Sequence, residues 1–285
     1  MLLVRRVIEG IIYSNIFIGI CAVALTLTNQ VTVEGDFHFN KGLGFVFFST
    51  VFTYCFLKFR KTGGAVENTT HHNWAEEHQQ LSRNILVISL LATVFYFAGL
   101  EGRVQFVVAL LAAFTALYGF VNIPFTNPKR KLRDFGLLKT VFVAIVWSVT
   151  TVVVPLGDSF VETDVMIFLL LRRFLFILAL TIPFEIKDMV GDREHNLKTI
   201  PYLIGVSNTK LLAQGILLLL ALIIIMQHLF FGLSIGYMLA LDISLLLTIF
   251  CIQPVDEETS DWWFYVVLDG MMVLQFVLVY TTMLF

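Results

Sequence analysis

The chain has 285 residues, of which 58% are hydrophobic and 14% are charged, and its formal net charge is −2. No water-soluble domain buries so large an apolar share in a single core, so the composition excludes a soluble globular protein. It predicts an all-α integral membrane protein that crosses the bilayer many times. A nucleic-acid partner is not expected.

Nine apolar stretches approach the length of about 20 residues that a membrane-spanning helix requires. Several of them are short or closely spaced, so their number is better determined than their boundaries. In chain order the predicted spans cover residues 10–29, 42–59, 84–100, 104–125, 136–156, 164–184, 210–230, 231–252 and 263–285.

The first stretch follows Arg5 and Arg6, so a cleaved secretory signal is one interpretation. A retained first helix is favoured, because its apolar run of about 18 residues is longer than a usual signal core and eight further spans follow. The cysteines all lie in predicted spans, which predicts neither a disulfide framework nor a metal site. They are Cys21, Cys55 and Cys251.

The basic residues are distributed unequally between the two sides of the membrane. If the N-terminus is cytoplasmic, 15 of the 19 Lys and Arg residues face the cytoplasm. Only Lys41 and Arg103 face outward, and Arg172 and Arg173 lie within a span. The positive-inside rule therefore predicts a cytoplasmic N-terminus, with the inner membrane of a bacterium as the expected location.

Two long cytoplasmic loops are predicted, at residues 58–83 and 185–209, and they are similar in length and four spans apart. This arrangement suggests a single transmembrane domain over residues 1–285 that contains a four-helix pseudo-repeat. The two halves cover about 1–125 and 136–252, and a ninth helix follows them.

An acidic stripe follows the sixth span, in the stretch FEIKDMVGDREHNLKTIP. Offsets of three and seven residues place Glu185, Asp188 and Asp192 on one face of a helix. Magnesium takes one or two protein carboxylates and completes its shell with water and substrate phosphate oxygens, so this spacing suits a magnesium diphosphate. An acidic helix at the membrane surface, without a ligand, is the alternative.

The run from Asp188 to Pro201 resembles the second aspartate-rich motif of the UbiA superfamily of intramembrane prenyltransferases, which reads roughly D-x-x-D-x-x-G-D-x-x-x-G-x-x-T-L-P. Glu185 replaces the first Asp and Asn196 replaces a Gly. The resemblance implies a helical bundle with a central cavity open to the cytoplasm. It also implies Mg²⁺ held by Asp188 and Asp192, with Glu185 in support as a catalytic residue.

A second region is similar to the connection between spans 4 and 5 in that family, where a tyrosine and basic residues hold the diphosphate. A leaving diphosphate needs fixed positive charge as well as metal. Ordinary positive-inside topology is the alternative explanation for the same charges. The residues that the resemblance assigns to the diphosphate are Tyr118, Lys129, Lys131, Arg133 and Lys139.

The first family motif, roughly N-D-x-x-D-x-x-x-D, is expected at Thr53–Arg60, but this segment contains no carboxylate. A second magnesium site of the usual kind is therefore missing. Arg60, Lys61 or nearby histidines are candidates for binding the diphosphate directly. The segment His71–His78 is either a substitute metal site or, as we favour, an interfacial helix anchored by Trp74.

Charged residues also occur inside predicted spans, where they are costly unless they face the bundle interior. Arg172 and Arg173 lie in the middle of span 6, Asp242 lies at similar depth in span 8, and Asp269 lies nearer the cytoplasmic end of span 9. A buried Arg–Asp pair is the favoured interpretation, and arginines that line a substrate cavity are the alternative. Asp261, before the last span, is expected only to belong to a solvated surface.

The resemblance implies a magnesium-dependent transferase that moves an isoprenyl group from an allylic diphosphate to a lipophilic, aromatic acceptor. A non-catalytic relative that binds a prenyl lipid or acts as a scaffold is the alternative, because the first motif is empty. A transporter is less favoured. The intramembrane charges suit an ion path, but paired broken helices are not evident in the sequence.

Overall fold

The computed structural model describes the chain except residues 1, 62–73, 75–76, 121–135, 158, 160, 195–198 and 285. It describes the helical backbone but not the side chains at 2–6, 58–61, 117–120, 136–137 and 190–194. The described helices are α1 (Leu2–Tyr13), α2 (Ile16–Glu34), α3 (Lys41–Lys61), α4 (Gln79–Ala98), α5 (Gly102–Phe120), α6 (Gly136–Val152), α7 (Thr163–Glu194), α8 (Ile200–Phe231), α9 (Ile235–Ile252), a π-helical segment (Trp263–Leu268) and α10 (Asp269–Thr281).

Six helical stretches in the described part of the chain are long and apolar enough to cross a membrane: Ile16–Glu34, Gln79–Ala98, Thr163–Met189, Ile200–Phe231, Ile235–Ile252 and Trp263–Thr281. Three shorter apolar helical stretches cover Lys41–Leu57, Gly102–Ala116 and Leu138–Val152. Each predicted span overlaps one of these stretches. The all-helical membrane class is confirmed, and the number of nine crossings stays a prediction.

Six helices form a closed ring through their contacts. Helix α2 contacts α6, and contacts then pass in turn through α7, α8, α9 and α10 back to α2. Helix α3 packs on the outside of α2 and carries α4. The apolar window of α2 is 67% buried, whereas that of α4 is only 6% buried, so α2 belongs to the centre and α4 presents its apolar side chains to lipid.

The predicted loop 185–209 is mostly helical, which corrects the boundaries that hydropathy suggested. Helix α7 continues past Pro183 to Glu194, and α8 begins at Ile200, directly after Thr199. Pro201 lies in the first turn of α8, where a missing backbone N–H costs no hydrogen bond. A break at Gly205, whose φ of 79° is easy only for glycine, separates this first turn from the long membrane helix.

Candidate functional site

The predicted acidic stripe lies on the last turns of α7. Glu185 is 2% exposed, whereas the Asp188 side chain, one turn further on, is about one-third exposed. The backbone of Asp192 continues the same helix, and its side chain lies outside the part that the structure describes. The described carboxylates therefore run from the protein interior toward the end of the helix.

Lys139, in the first turn of α6, lies between the two described carboxylates. Its Nζ is 3.0 Å from Oε1 of Glu185 and 3.1 Å from Oδ2 of Asp188. Because a buried carboxylate needs a compensating charge or hydrogen bonds, this ammonium is a charged partner for Glu185 in the interior. Lys139 was predicted from family resemblance to bind diphosphate, and in this structure it bridges the acidic stripe.

A second ion pair beside the stripe involves three residues that the sequence did not single out together. Lys187 Nζ donates to the hydroxyl of Tyr265 at 2.6 Å and lies 3.2 Å from Oδ1 of Asp261. The ammonium is also 4.3 Å from the centre of the Tyr265 ring. The expectation that Asp261 is only a solvated surface residue is wrong, because its side chain is 18% exposed and paired.

This contact attaches the end of α7 to the π-helical segment Trp263–Leu268. Tyr265 lies within that segment, where the wider turn is a departure from α-helix that often occurs near functional sites. Only a weak sequence signal indicates this contact: Lys187 lies within the acidic motif, and a Trp-Trp-Phe-Tyr run follows Asp261. Neither specifies which helix the other will meet.

Most of the predicted diphosphate ligands cannot be located at the side-chain level. Tyr118 lies on the described backbone of α5 and Arg60 on that of α3, but their side chains lie outside the described residues. In the His71–His78 segment, the Trp74 ring stacks on His78 with centroids 4.5 Å apart and lies 6.2 Å from the ring of Tyr13. The three remaining predicted ligands, also outside the described residues, are Lys129, Lys131 and Arg133.

The residues of the stripe suit magnesium by their chemistry. Among the described side chains, which do not include that of Asp192, no group of three or more Asp, Glu, His or Cys forms a metal cluster. Glu185 and Asp188 nevertheless offer the hard oxygen donors that magnesium prefers, and the ammonium of Lys139 between them indicates a position that attracts positive charge. Asp188 and Asp192 would hold the ion.

Among the described residues, neither Arg172 nor Arg173 forms the predicted ion pair with Asp242 or Asp269. Arg173 Nη2 instead donates to the carbonyl oxygen of Leu25 at 2.5 Å and to Oδ1 of Asn29 at 3.0 Å. The guanidinium of Arg172 lies 5.6 Å from the ring centre of Tyr237. Both arginines line a cavity in the bundle. This agrees with the alternative interpretation, in which they line a cavity, but it does not identify a substrate.

Helix geometry explains why the two acids do not reach the arginines. On α9 the residues that line the cavity are Tyr237 and Leu241, one turn apart, and Asp242 lies about 100° further round the helix. Oδ1 of Asp242 is buried without a hydrogen-bond partner. On α10 the cavity is lined by Gln275, and Asp269 lies nearly two turns away.

The chain is similar to a known protein family and to solved membrane-protein structures. The model of the UbiA prenyltransferase family matches residues 60–276, which is more than half of the chain. The solved structure of a digeranylgeranylglyceryl phosphate synthase matches with a TM-score of 0.58 at 13% identity, covering 95% of this chain and 99% of that one. The apo structure of a UbiA homolog from Aeropyrum pernix K1 matches with a TM-score of 0.46 at 15% identity, covering 97% and 94%.

No protein of curated function matches the sequence. At 13% identity the structural match to the synthase shows a shared fold only. The family match is independent of that comparison and includes both the basic region before α6 and the acidic stripe of α7. The chain therefore belongs to the UbiA prenyltransferase family.

Proposed function

We propose that the protein is a membrane prenyltransferase that transfers an isoprenyl group from an allylic diphosphate to a lipophilic acceptor, with an aromatic acceptor favoured. The proposal includes nine membrane crossings, a cytoplasmic N-terminus, and a cavity open to the cytoplasm of a bacterial cell. Family membership supports the general reaction. The substrates and the requirement for magnesium belong to the proposal.

The single observation that carries the proposal is the charge arrangement at the end of α7. The ammonium of Lys139, from a neighbouring helix, lies within 3.1 Å of two carboxylates one turn apart, of which Glu185 is only 2% exposed. Such a set of fixed charges of both signs is suited to a ligand that combines phosphate oxygens with a divalent cation. A purely structural ion pair does not need the second acid.

In the proposed reaction the bond between the prenyl carbon and the diphosphate oxygen breaks, the carbon forms a bond to the acceptor, and the proton that the acceptor loses passes to the departing diphosphate. Magnesium would neutralise charge that develops on the departing diphosphate. Asp188 and Asp192 would hold the ion, and Lys139 would turn from its carboxylates to the diphosphate. Lys131 and Arg133 would supply further positive charge to the same group.

The enclosed ring of helices contributes by excluding water from the reacting carbon. An allylic cation that meets water gives an alcohol instead of the transfer product, so the tail and the acceptor must react in an apolar space. Aromatic side chains are abundant in the chain, which contains 28 phenylalanines, and their ring faces stabilise a nearby cation.

A non-catalytic prenyl-lipid-binding protein is the second candidate function. One observation favours it: the segment Thr53–Arg60, where the family's first aspartate-rich motif is expected, contains no Asp or Glu. A protein of this kind would keep the fold and the lipid site but lack the second set of magnesium ligands.

Binding of a non-hydrolysable prenyl diphosphate analogue, measured by isothermal titration, tests the site. We expect removal of magnesium by a chelator to weaken binding by roughly tenfold or more, equivalent to about 1.4 kcal/mol. Asp188→Asn is expected to bind weakly with or without chelator, because it removes a ligand charge while preserving shape. Asp164→Asn is the matched control, because Asp164 is an exposed residue in the first turn of the same helix.

Tight binding that ignores both the chelator and Asp188→Asn would exclude the magnesium site. It would favour direct recognition of the diphosphate by Arg60, Lys61 and the His71–His78 segment. Thermal unfolding of each variant shows whether a loss of binding reflects the site or a loss of folded protein.

A further inference from the structure

A cavity lies inside the ring of helices, far from the acidic stripe. Its polar lining includes Arg172 and Arg173 from α7, Thr28 and Asn29 from α2, and Gln275 from α10. Its volume is about 20 Å³, which is room for one water-sized group or small ion. Arg172 precedes Asp188 by sixteen residues of the same helix, which corresponds to about 24 Å along the axis, so this cavity and the acidic stripe are separate places.

The two arginines carry charge that no described acid compensates. Arg172 is 9% exposed and Arg173 is 4% exposed. Within the described residues no ion pair joins either guanidinium to a carboxylate. Nη1 of Arg172 and Nε of Arg173 are buried and have no hydrogen-bond partner. Buried polar groups are normally satisfied, so two orphaned cationic donors beside one cavity require an explanation.

Neutral oxygens supply only part of what these guanidinium groups need. Arg173 has two neutral acceptors, the Leu25 carbonyl and the Asn29 amide, which leave its positive charge in place. Arg172 has the Tyr237 ring face at 5.6 Å. The Tyr237 hydroxyl is engaged by Thr32 and by the carbonyl oxygen of Thr28. An anion in the cavity would satisfy the remaining donors and offset the positive charge.

We propose that this cavity binds one small monovalent anion, such as chloride, between Arg172 and Arg173. The monovalent charge follows from the small number of orphaned donors, because a phosphate group needs a larger set of hydrogen bonds to leave water. The apolar part of the lining leaves little room for a polar head group: Leu169, Phe176, Leu220, Ile224 and Leu241. The anion holds α7 against α2 and α10 in this half of the bundle.

Thermal unfolding in detergent micelles tests the proposal when gluconate, an anion too large for the cavity, is replaced by chloride or bromide at constant ionic strength. We expect Tm to rise with halide concentration and to saturate, as mass action requires for a ligand of the native state. The rise is lost in Arg172→Gln. It persists in Arg103→Gln, a matched control in which an exposed arginine at the start of α5 undergoes the same change.

A second variant keeps the test decisive if Arg172→Gln does not fold. Gln275 lines the same cavity, and its Nε2 donates to the hydroxyl oxygen of Ser244 at 3.1 Å. That hydroxyl donates to the carbonyl oxygen of Leu241 at 2.6 Å and would rotate to donate to a carboxylate at position 275. Gln275→Glu therefore places a built-in anion beside the arginines with nearly the same shape. We expect this variant to be folded in gluconate and to have lost the Tm response to halide.

Crystals grown in bromide give a direct measurement on the unaltered protein, because bromide scatters anomalously. The expected result is one anomalous peak between the two guanidinium groups, absent from crystals of Gln275→Glu. The proposal is overturned if the wild-type cavity shows no peak, or if the halide response of Tm is absent from the wild type or unchanged in Gln275→Glu. Prenyl diphosphate takes no part in these measurements, so their failure leaves the proposed transferase activity standing.

Discussion

At the scale of single residues, the buried charge of Glu185 is the most demanding feature of the acidic stripe. Its side chain is 3% exposed, and Lys139 Nζ is 3.0 Å away. Solvent partly screens the charge of Lys139, because the side chains of Lys139 and Asp188 are each about one-third exposed. The pair is therefore worth less than a fully buried ion pair but more than a surface one.

A double-mutant cycle on Lys139→Gln and Glu185→Gln measures this interaction. We expect Lys139→Gln alone to reduce the free energy of unfolding by about 1–3 kcal/mol, because Glu185 loses a charged partner in the interior. Adding Glu185→Gln recovers part of the loss, since the carboxylate that needed compensation is gone. Denaturant titration in detergent micelles gives the four unfolding free energies.

Lys210→Gln is the control for the Lys139 cycle. Among the described residues, Lys210 Nζ donates only to the carbonyl oxygen of Gln253, and this hydrogen bond is exposed to solvent. Its effect is expected to be small. Strictly additive effects of Lys139→Gln and Glu185→Gln would contradict a direct interaction between the two side chains.

Residue spacing predicted that Glu185 and Asp188 share one face of a helix, and the structure places both on α7. It predicted the wrong partners for Arg172 and Arg173, because depth along a span does not specify the direction in which a side chain points. Asp242 has a suitable depth, but it is turned away from the cavity by one step of the helix. The role of Asp192 stays a prediction.

At the scale of helices, the contact between α3 and the turn after α6 depends on a glycine. A Cβ atom at Gly42 would lie 2.8 Å from Cα of Pro155 and 3.0 Å from the carbonyl oxygen of Val154. Both are backbone atoms that cannot rotate away. Small residues permit this kind of close approach between membrane helices.

Replacement of Gly42 by Ala is expected to destabilise the protein by about 1–3 kcal/mol, because the helix and the turn must separate. Gly215→Ala, in the interior of α8, is the matched control, since a Cβ there meets nothing within 4 Å. It should be neutral or stabilising by up to about 1 kcal/mol, as alanine favours helix. Equal Tm values for the two variants in detergent would contradict the close contact at Gly42.

Hydropathy located the helices well but shortened α7, which carries the acidic stripe, and α8, which follows it. Helices α7 and α8 extend into polar sequence on either side of residues 195–199, where apolar content no longer signals a helix. Pro201 marks the start of α8 by its usual place in the first turn of a helix, a signal independent of hydropathy, and Thr199 takes the N-cap position without a side-chain capping hydrogen bond.

At the scale of the whole molecule, contacts join α2, α6, α7, α8, α9 and α10 into a closed ring. The sequence predicted a helical membrane bundle but not the order of neighbours in this ring. Between helices in a bilayer, neighbour choice depends on local shape and on polar contacts such as that of Arg173 with Asn29, which no pattern of hydropathy contains. The predicted pseudo-repeat and the membrane orientation stay predictions.

In the proposed reaction this ring would determine the fate of a prenyl cation. If the ring excludes water, the acceptor captures the prenyl group, and if water enters, the product is a prenyl alcohol. The ratio of transferred product to alcohol therefore reports on the bundle as a whole, whereas binding of a diphosphate reports only on the end of α7.

The most direct measurement is mass spectrometry of the purified protein incubated in lipid nanodiscs with isotope-labelled prenyl diphosphates and a membrane lipid extract, with magnesium or with chelator. We expect one labelled lipophilic product with an equal amount of released diphosphate, formed only with magnesium and lost in Asp188→Asn. Transferase activity would be contradicted if prenyl diphosphates of every chain length stayed intact in a preparation that binds the non-hydrolysable analogue. That result would support the alternative that the protein only binds prenyl lipids.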